Sequence, residues 1–223
     1  MEKNLTNPDQ SWKSLYKAGG VSAILYVILA LGVPFFMYIS NTELSYMSKG
    51  SDILELIIAK GPSWWIIMQT LVLGSSFFAI ITFAALFVVL KQLNKGLAAV
   101  GSLTAIVIHI LFIAYYPVML ALSHLAKNYQ TANAIQRLSF ASAAEGLLAI
   151  NNAFNPLYES IFAVSIFILS FIMLKGVFNK ISAYLGILTA VSAFIALSLW
   201  QVLGVGYFWW WLLFILWFVF VGI

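Results

Sequence analysis

Ionisable and amide side chains are concentrated between Glu145 and Glu159, in a chain that is otherwise mostly apolar. The stretch reads EGLLAINNAFNPLYE, and its polar members are Glu145, Asn151, Asn152, Asn155, Tyr158 and Glu159. Glu145, Asn152 and Glu159 are seven residues apart, so a continuous helix places them on one face. Asn151, Asn155 and Tyr158 would share the adjacent face. Such groups are costly at membrane depth and usually face a partner or a cavity, so the pattern suggests a ligand-binding pocket.

Pro156 leaves two interpretations of this stretch open. Proline removes a backbone donor, which predicts that the helix breaks or bends and that the freed backbone lines a pocket open to the outer face. Alternatively, Asn155 and Pro156 cap the start of a membrane span, and Glu159 in its first turn complements the helix dipole. Capping accounts for Asn155, Pro156 and Glu159. It does not account for the polar residues before them.

A second polar pattern follows one face of a predicted helix, where Ser102, His109, Tyr116 and Ser123 recur every seven residues. A functional interpretation is a polar track for a solute or proton, with His109 titrating near neutral pH. A structural interpretation is a packing face, with a neutral histidine hydrogen-bonded to another helix.

Several chemistries are excluded by composition. The chain has no cysteine, so disulfides and thiolate chemistry are ruled out, and its two histidines are too few for a multi-histidine metal site. There is no glycine-rich phosphate loop, zinc-protease helix or serine-nucleophile elbow. Basic residues form no stripe that would bind nucleic acid. We therefore expect no metal, cofactor or nucleic acid, and catalytic residues cannot be assigned.

The elements that position these residues are membrane spans. Hydrophobic residues make up 63% of the 223 residues and charged residues 8%, which is far from the composition of a soluble domain. Hydropathy predicts an all-α polytopic bundle forming a single transmembrane domain over residues 1–223. The predicted spans are residues 20–39, 64–90, 97–122, 156–174, 181–203 and 205–223.

Two short interfacial helices are also expected. One starts at Asn7-Pro8 and feeds the first span, and the other covers the amphipathic segment Asp52–Lys60. A surface or half-inserted helix is predicted to run to Asn155, with the fourth span starting at Pro156.

Lysine and arginine counts predict the orientation. With the N-terminus inside, seven basic residues fall inside and four outside, so both termini are expected to be cytoplasmic. The inner set is Lys3, Lys13, Lys17, Lys91, Lys95, Lys175 and Lys180, and the outer set is Lys49, Lys60, Lys127 and Arg137.

The fifth span carries small residues on one face, at Ser182, Gly186, Ala190 and Ala193. Small residues permit close helix approach, so this face could pack internally or dock a second copy of the chain.

Three segments, SWKSLYKAGGVSAILYVI, LKQLNKGLAAVGS and LKGVFNKISAYLGIL, resemble those of a family of six-span bacterial membrane proteins catalogued only as a domain of unknown function. The resemblance implies six spans in a bacterial inner membrane. It implies no activity, ligand or site residue.

These patterns favour binding or transport of a small amphipathic or hydrophobic solute in a pocket between spans three and four. An intramembrane enzyme using His109 or Glu159 as acid or base is an alternative. A structural or partner-binding membrane subunit is another.

Overall fold

The computed structural model describes residues 12–40, 49–176, 178–203 and 206–223, except the side chains of residues 199–209. These residues form seven α-helices and contain no β-strand, which confirms the predicted all-α class. The helices are α1 (Lys13–Ile39), α2 (Gly50–Lys60), α3 (Pro62–Leu90), α4 (Lys95–Thr131), α5 (Ala134–Met173), α6 (Lys180–Leu203) and α7 (Gly206–Gly222).

Within the described residues, five helices are long and apolar enough to cross a bilayer, namely α1, α3, α4, α5 and the part of α6 from Lys180 to Ser198. The chain is therefore a multi-pass integral membrane protein. The sixth predicted span falls on α7, whose 17 residues extend about 26 Å, slightly less than the hydrocarbon thickness. The predicted start of the N-terminal helix at Asn7-Pro8 lies outside the described residues.

The predicted break at Pro156 is wrong. Helix α5 runs without interruption through Pro156 for 40 residues, or about 60 Å. Proline removes one backbone hydrogen bond. Side chains of α5 are nevertheless buried on both sides of Pro156, with Ala144 and Leu148 before it and Ala163 and Ile166 after it. Packing on both sides is consistent with a helix that continues through a single missing donor. Pro34 and Pro117 likewise lie inside α1 and α4.

Residue contacts divide the chain into two compact units. Unit 1 comprises Met1–Val27, Phe77–Ile110 and Glu159–Ile223, and unit 2 comprises Ile28–Ser76 and Leu111–Tyr158. Helices α1, α3, α4 and α5 contribute residues to both. The single transmembrane domain expected from hydropathy stays a prediction.

The core of unit 2 contains the apolar side of α2. The amphipathic helix predicted at Asp52–Lys60 is confirmed, and its Ile53, Leu54 and Ile57 are buried in a cluster with side chains of α3, α4 and α5. A side chain on Gly50 would meet the backbone of α5 at Ala141 and Glu145, so glycine permits this contact. The apolar face of α2 therefore packs on protein.

Two tryptophans at the start of α3 anchor unit 2 by hydrogen bonds. The indole N–H of Trp64 donates to Ser40 Oγ at 3.0 Å, and that of Trp65 donates to the Met119 carbonyl at 2.8 Å. Lys60 Nζ donates to the Ser40 carbonyl at 2.6 Å. These bonds fix the ends of α1, α2 and α3 to one another and α3 to α4.

Unit 1 is built around aromatic rings. Phe83 of α3, Phe162 of α5 and Trp217 and Phe218 of α7 are almost completely buried. The Phe83 and Phe162 rings meet edge to face at 5.6 Å, and Tyr26 of α1 stacks on Phe218 at 4.2 Å.

The small-residue face of the fifth span is an internal contact. All four of its members are buried, and a side chain on Gly186 would meet Ser170 of α5 and Trp217 of α7. Because α5 and α7 already occupy this face, the prediction that a second copy could dock there is wrong. The members are Ser182, Gly186, Ala190 and Ala193.

Candidate functional site

His109 of α4 lies in the aromatic core of unit 1. Its side chain is 0% exposed, so no space the size of a water molecule adjoins it. The Nδ1 atom donates to the Ala105 carbonyl one turn earlier, at 2.7 Å. The imidazole contacts the rings of Phe162 at 4.8 Å and Phe83 at 5.8 Å. These contacts are those of a packing residue.

The remaining members of the predicted polar track on α4 also make structural contacts. Ser102 is fully buried, and its Oγ has no hydrogen-bond partner among the described residues. In unit 2, Ser123 donates to the Leu120 carbonyl at 2.7 Å. The Tyr116 hydroxyl and Thr70 Oγ1 are 3.3 Å apart. The seven-residue repeat therefore marks the protein-facing side of α4.

Glu159 is the one site residue of α5 that is buried in unit 1. Its side chain is 6% exposed, and it begins the buried stripe of α5 that continues through Phe162, Ala163 and Ile166. No hydrogen bond or ion pair to its carboxyl group occurs within the described residues. An ionisable group that is buried without a charged or hydrogen-bonding partner is expensive, because burial removes most of the water that would stabilise its charge.

The other residues of the predicted binding face do not share the burial of Glu159. Glu145 and Asn152, fourteen and seven positions before Glu159, are exposed. Asn151, Asn155 and Tyr158 are half-buried. Identical spacing thus gives different environments along one helix, because the buried side of α5 near Glu145 is the side that carries Ala144 and Leu148.

Aromatic packing in unit 2 surrounds part of this stretch. Tyr158 contacts the Phe112 ring at 4.8 Å, and Phe154 stacks on Tyr115 at 4.8 Å. The Tyr115 hydroxyl is buried and has no hydrogen-bond partner in the described part of the chain. No pattern in the sequence predicted this contact.

A cleft of about 580 Å³ lies elsewhere in unit 1, at the end of the unit that carries lysines. Sequence reasoning missed it, and the only signal was the small-residue segment Ala18-Gly19-Gly20 beside Lys17. Its walls come from α1, α3, α6, α7 and the turn before α6. The lining residues include Tyr16, Gly20, Thr82, Val89, Asn179 and Phe220.

Metal ligation has no support in the described ranges, where no group of three or more histidine, aspartate or glutamate side chains comes together. Comparison of the chain with models of known protein families, with curated proteins and with solved structures found no match. The functional argument therefore rests on the residues themselves.

Proposed function

We propose that this membrane protein binds a small amphipathic solute carrying a positive charge, beside Glu159. The observation that carries the proposal is a buried carboxyl group on the packed side of α5 with no hydrogen bond or ion pair in the described residues. An ionisable side chain inside the membrane is the feature most often associated with a functional site.

The position of Glu159 along α5 supports membrane depth. Glu159 precedes Lys175 by 16 residues, so about 24 Å of helix separates it from that end. His109 follows Lys95 on α4 by 14 residues, or about 21 Å. The Phe162 ring, one turn after Glu159, contacts His109 and closes the site on that side with apolar surface.

The chemistry of a buried carboxylate determines the kind of solute. Ionised, it requires a cation, and the lysines of unit 1 among the described residues all lie at helix ends or in the turns that join them. A hydrophobic amine supplies the cation and fits the apolar surroundings. A neutral or anionic solute would leave the carboxylate without a partner.

The orientation in this proposal has both termini in the cytoplasm of the cell. It is supported by the excess of basic residues in the segments assigned to the inside. Transport of the bound solute would additionally require that Glu159 be reached from both sides of the membrane.

No specific observation favours either of the two alternative functions. Acid–base catalysis by His109 needs a reacting group within hydrogen-bond reach, but its side chain is enclosed by Phe83 and Phe162. A partner-binding subunit would need a surface other than the buried face of α6.

Thermal unfolding in the presence of hydrophobic amines tests the proposal. Purified protein, the Glu159→Gln variant and the Glu145→Gln control are heated with a panel of such amines and with neutral isosteres. Glu145 is an exposed carboxylate on the same helix, so it matches the charge change without the burial. A ligand at a hundred times its dissociation constant adds about 2.7 kcal/mol to the free energy of unfolding.

We expect at least one amine to stabilise the unaltered protein and the Glu145→Gln control but not Glu159→Gln. If the amines stabilised all three proteins equally, the binding site would lie away from Glu159. A panel in which no amine exceeds its neutral isostere would overturn the proposal for a cationic solute.

A further inference from the structure

We infer that the cleft of unit 1 binds one anionic phospholipid from the surrounding leaflet, with an acyl chain in the cleft and the headgroup at the lysines around it. The cleft is separate from Glu159, and the inference does not depend on the proposed function.

The size and lining of the cleft fit an acyl chain. Its volume of about 580 Å³ lies within the range of sites for small molecules. Apolar groups from three elements form much of its walls, among them Leu86 and Val89 of α3, Phe178 of the turn and Phe220 of α7.

Two hydroxyl groups that line the cleft, those of Thr82 and Ser182, are directed to the backbone. Thr82 Oγ1 donates to the Phe78 carbonyl at 2.9 Å and approaches the Gly19 carbonyl at 3.4 Å. Ser182 Oγ donates to the Phe220 carbonyl at 3.3 Å. With these two hydroxyls satisfied, the cleft offers an acyl chain mainly apolar contact.

Close helix contact keeps the cleft from collapsing. A side chain on Gly20 would approach the Gly222 backbone to 3.1 Å, and one on Gly19 would meet Ala85. Helices α1, α3 and α7 are therefore fixed against one another at glycines beside the cleft. The cleft is the space that this close packing of the helices leaves open.

Charge complementarity selects an anionic lipid. Lys17 and Lys180 are exposed and adjoin the lining residues Tyr16 and Asn179 in the chain. Lys91 lies two residues after Val89, with its Nζ 4.6 Å from the centre of the Trp12 ring. At this end of unit 1 the described residues include no acidic side chain. The basic residues described there are Lys13, Lys17, Lys91, Lys95, Lys175 and Lys180.

A lysine-rich end of a membrane protein attracts anionic lipids of the cytoplasmic leaflet, and basic pockets between spans bind their headgroups. An apolar cleft with lysines next to its lining residues in the chain offers both halves of such a lipid a complementary surface. A zwitterionic lipid, which carries no net charge, would gain only the apolar contacts of its acyl chain.

Native mass spectrometry of the full chain with defined lipids tests this inference. The protein is supplied with phosphatidylglycerol and phosphatidylcholine of identical acyl chains. We expect one phosphatidylglycerol to be retained in preference to phosphatidylcholine. Val89→Trp, which fills the cleft, should abolish retention, whereas Val21→Trp on the exposed side of α1 should not.

A charge variant keeps the test decisive if Val89→Trp folds poorly. Lys17→Gln with Lys180→Gln should reduce the preference for phosphatidylglycerol about fivefold for each lysine removed. The matched control, Lys49→Gln with Lys127→Gln, removes two exposed lysines from unit 2 and should leave the preference unchanged.

Three outcomes would overturn the inference. Equal retention of the two lipids would remove the headgroup preference. Retention by Val89→Trp equal to that of Val21→Trp, in folded proteins, would place the lipid outside the cleft. A dimer that is lost in Val89→Trp would show that a second copy of the chain occupies the cleft.

Discussion

The imidazole of His109 on α4 meets the ring of Phe162 on α5 edge to face, with 4.8 Å between the ring centres. This contact joins the two helices that carry the candidate residues of unit 1. Phe162, the residue of α5 that His109 contacts, lies one helical turn after Glu159.

Replacing His109 tests its packing role. His109→Gln loses the ring contacts with Phe83 and Phe162 and disturbs the bond to the Ala105 carbonyl. We expect the free energy of unfolding to fall by about 1 to 2 kcal/mol, measured by denaturant titration in mixed micelles. His124→Gln is the control, because His124 is exposed. An unchanged stability in His109→Gln, with ligand binding lost, would instead show a functional histidine.

Replacing Glu159 with an apolar residue separates a functional carboxyl group from a structural one. Glu159→Leu removes a buried group that has no hydrogen bond or ion pair in the described residues, so the variant should be more stable by about 1 to 3 kcal/mol. Exposed Glu145→Leu should change stability little. Thermal unfolding without added ligand measures both. A marked loss of stability in Glu159→Leu would mean that the carboxyl group supports the fold.

The close approach at Gly186 predicts overpacking. In Gly186→Ala the new methyl group would collide with Ser170 Oγ and with the indole of Trp217, and the rigid indole cannot rotate away easily. We expect a loss of about 1 to 3 kcal/mol in unfolding experiments. Gly146→Ala is the matched control, since open space surrounds Gly146 in α5. That control should gain up to about 1 kcal/mol from the better helix propensity of alanine.

The hydrogen bond between Trp65 and the Met119 carbonyl predicts a smaller effect in unit 2. Trp65→Phe retains an aromatic ring but loses the indole donor at a buried position. The expected loss is about 1 kcal/mol or somewhat more in the same unfolding assay, because the carbonyl loses a partner. Trp12→Phe, at an exposed ring, should have a much smaller effect. Equal effects of the two substitutions would contradict a specific role for this bond.

Cysteine labelling tests the orientation. The chain contains no cysteine, and Lys49, Lys95, Lys127 and Lys180 are all exposed, so single cysteines at these positions should be accessible and tolerated. An impermeant thiol reagent applied from outside should label positions 49 and 127 and spare positions 95 and 180. The reverse pattern would invert the topology, and mixed labelling would change the number of spans.

Sequence alone determined the helical class, most of the spans and the distribution of charge. These features depend on local quantities: about 20 apolar residues cross the hydrocarbon core, and lysines remain at the ends of spans. The helix at Asp52–Lys60 was also predictable, because its apolar residues recur at helical spacing. These local signals do not depend on which surfaces the helices pack against.

Only the tertiary structure decided which polar residues are buried. Glu145 and Glu159 share a face by spacing, yet one is exposed and the other buried. Lipid is as apolar as a protein core, so hydropathy does not distinguish the packed side of a membrane helix from its lipid side. Packing on both sides of Pro156 likewise overrode the local signal for a break. The cleft near Gly19 and Val89 is formed by α1, α3 and the consecutive helices α6 and α7, so the pattern of a single segment could not predict it.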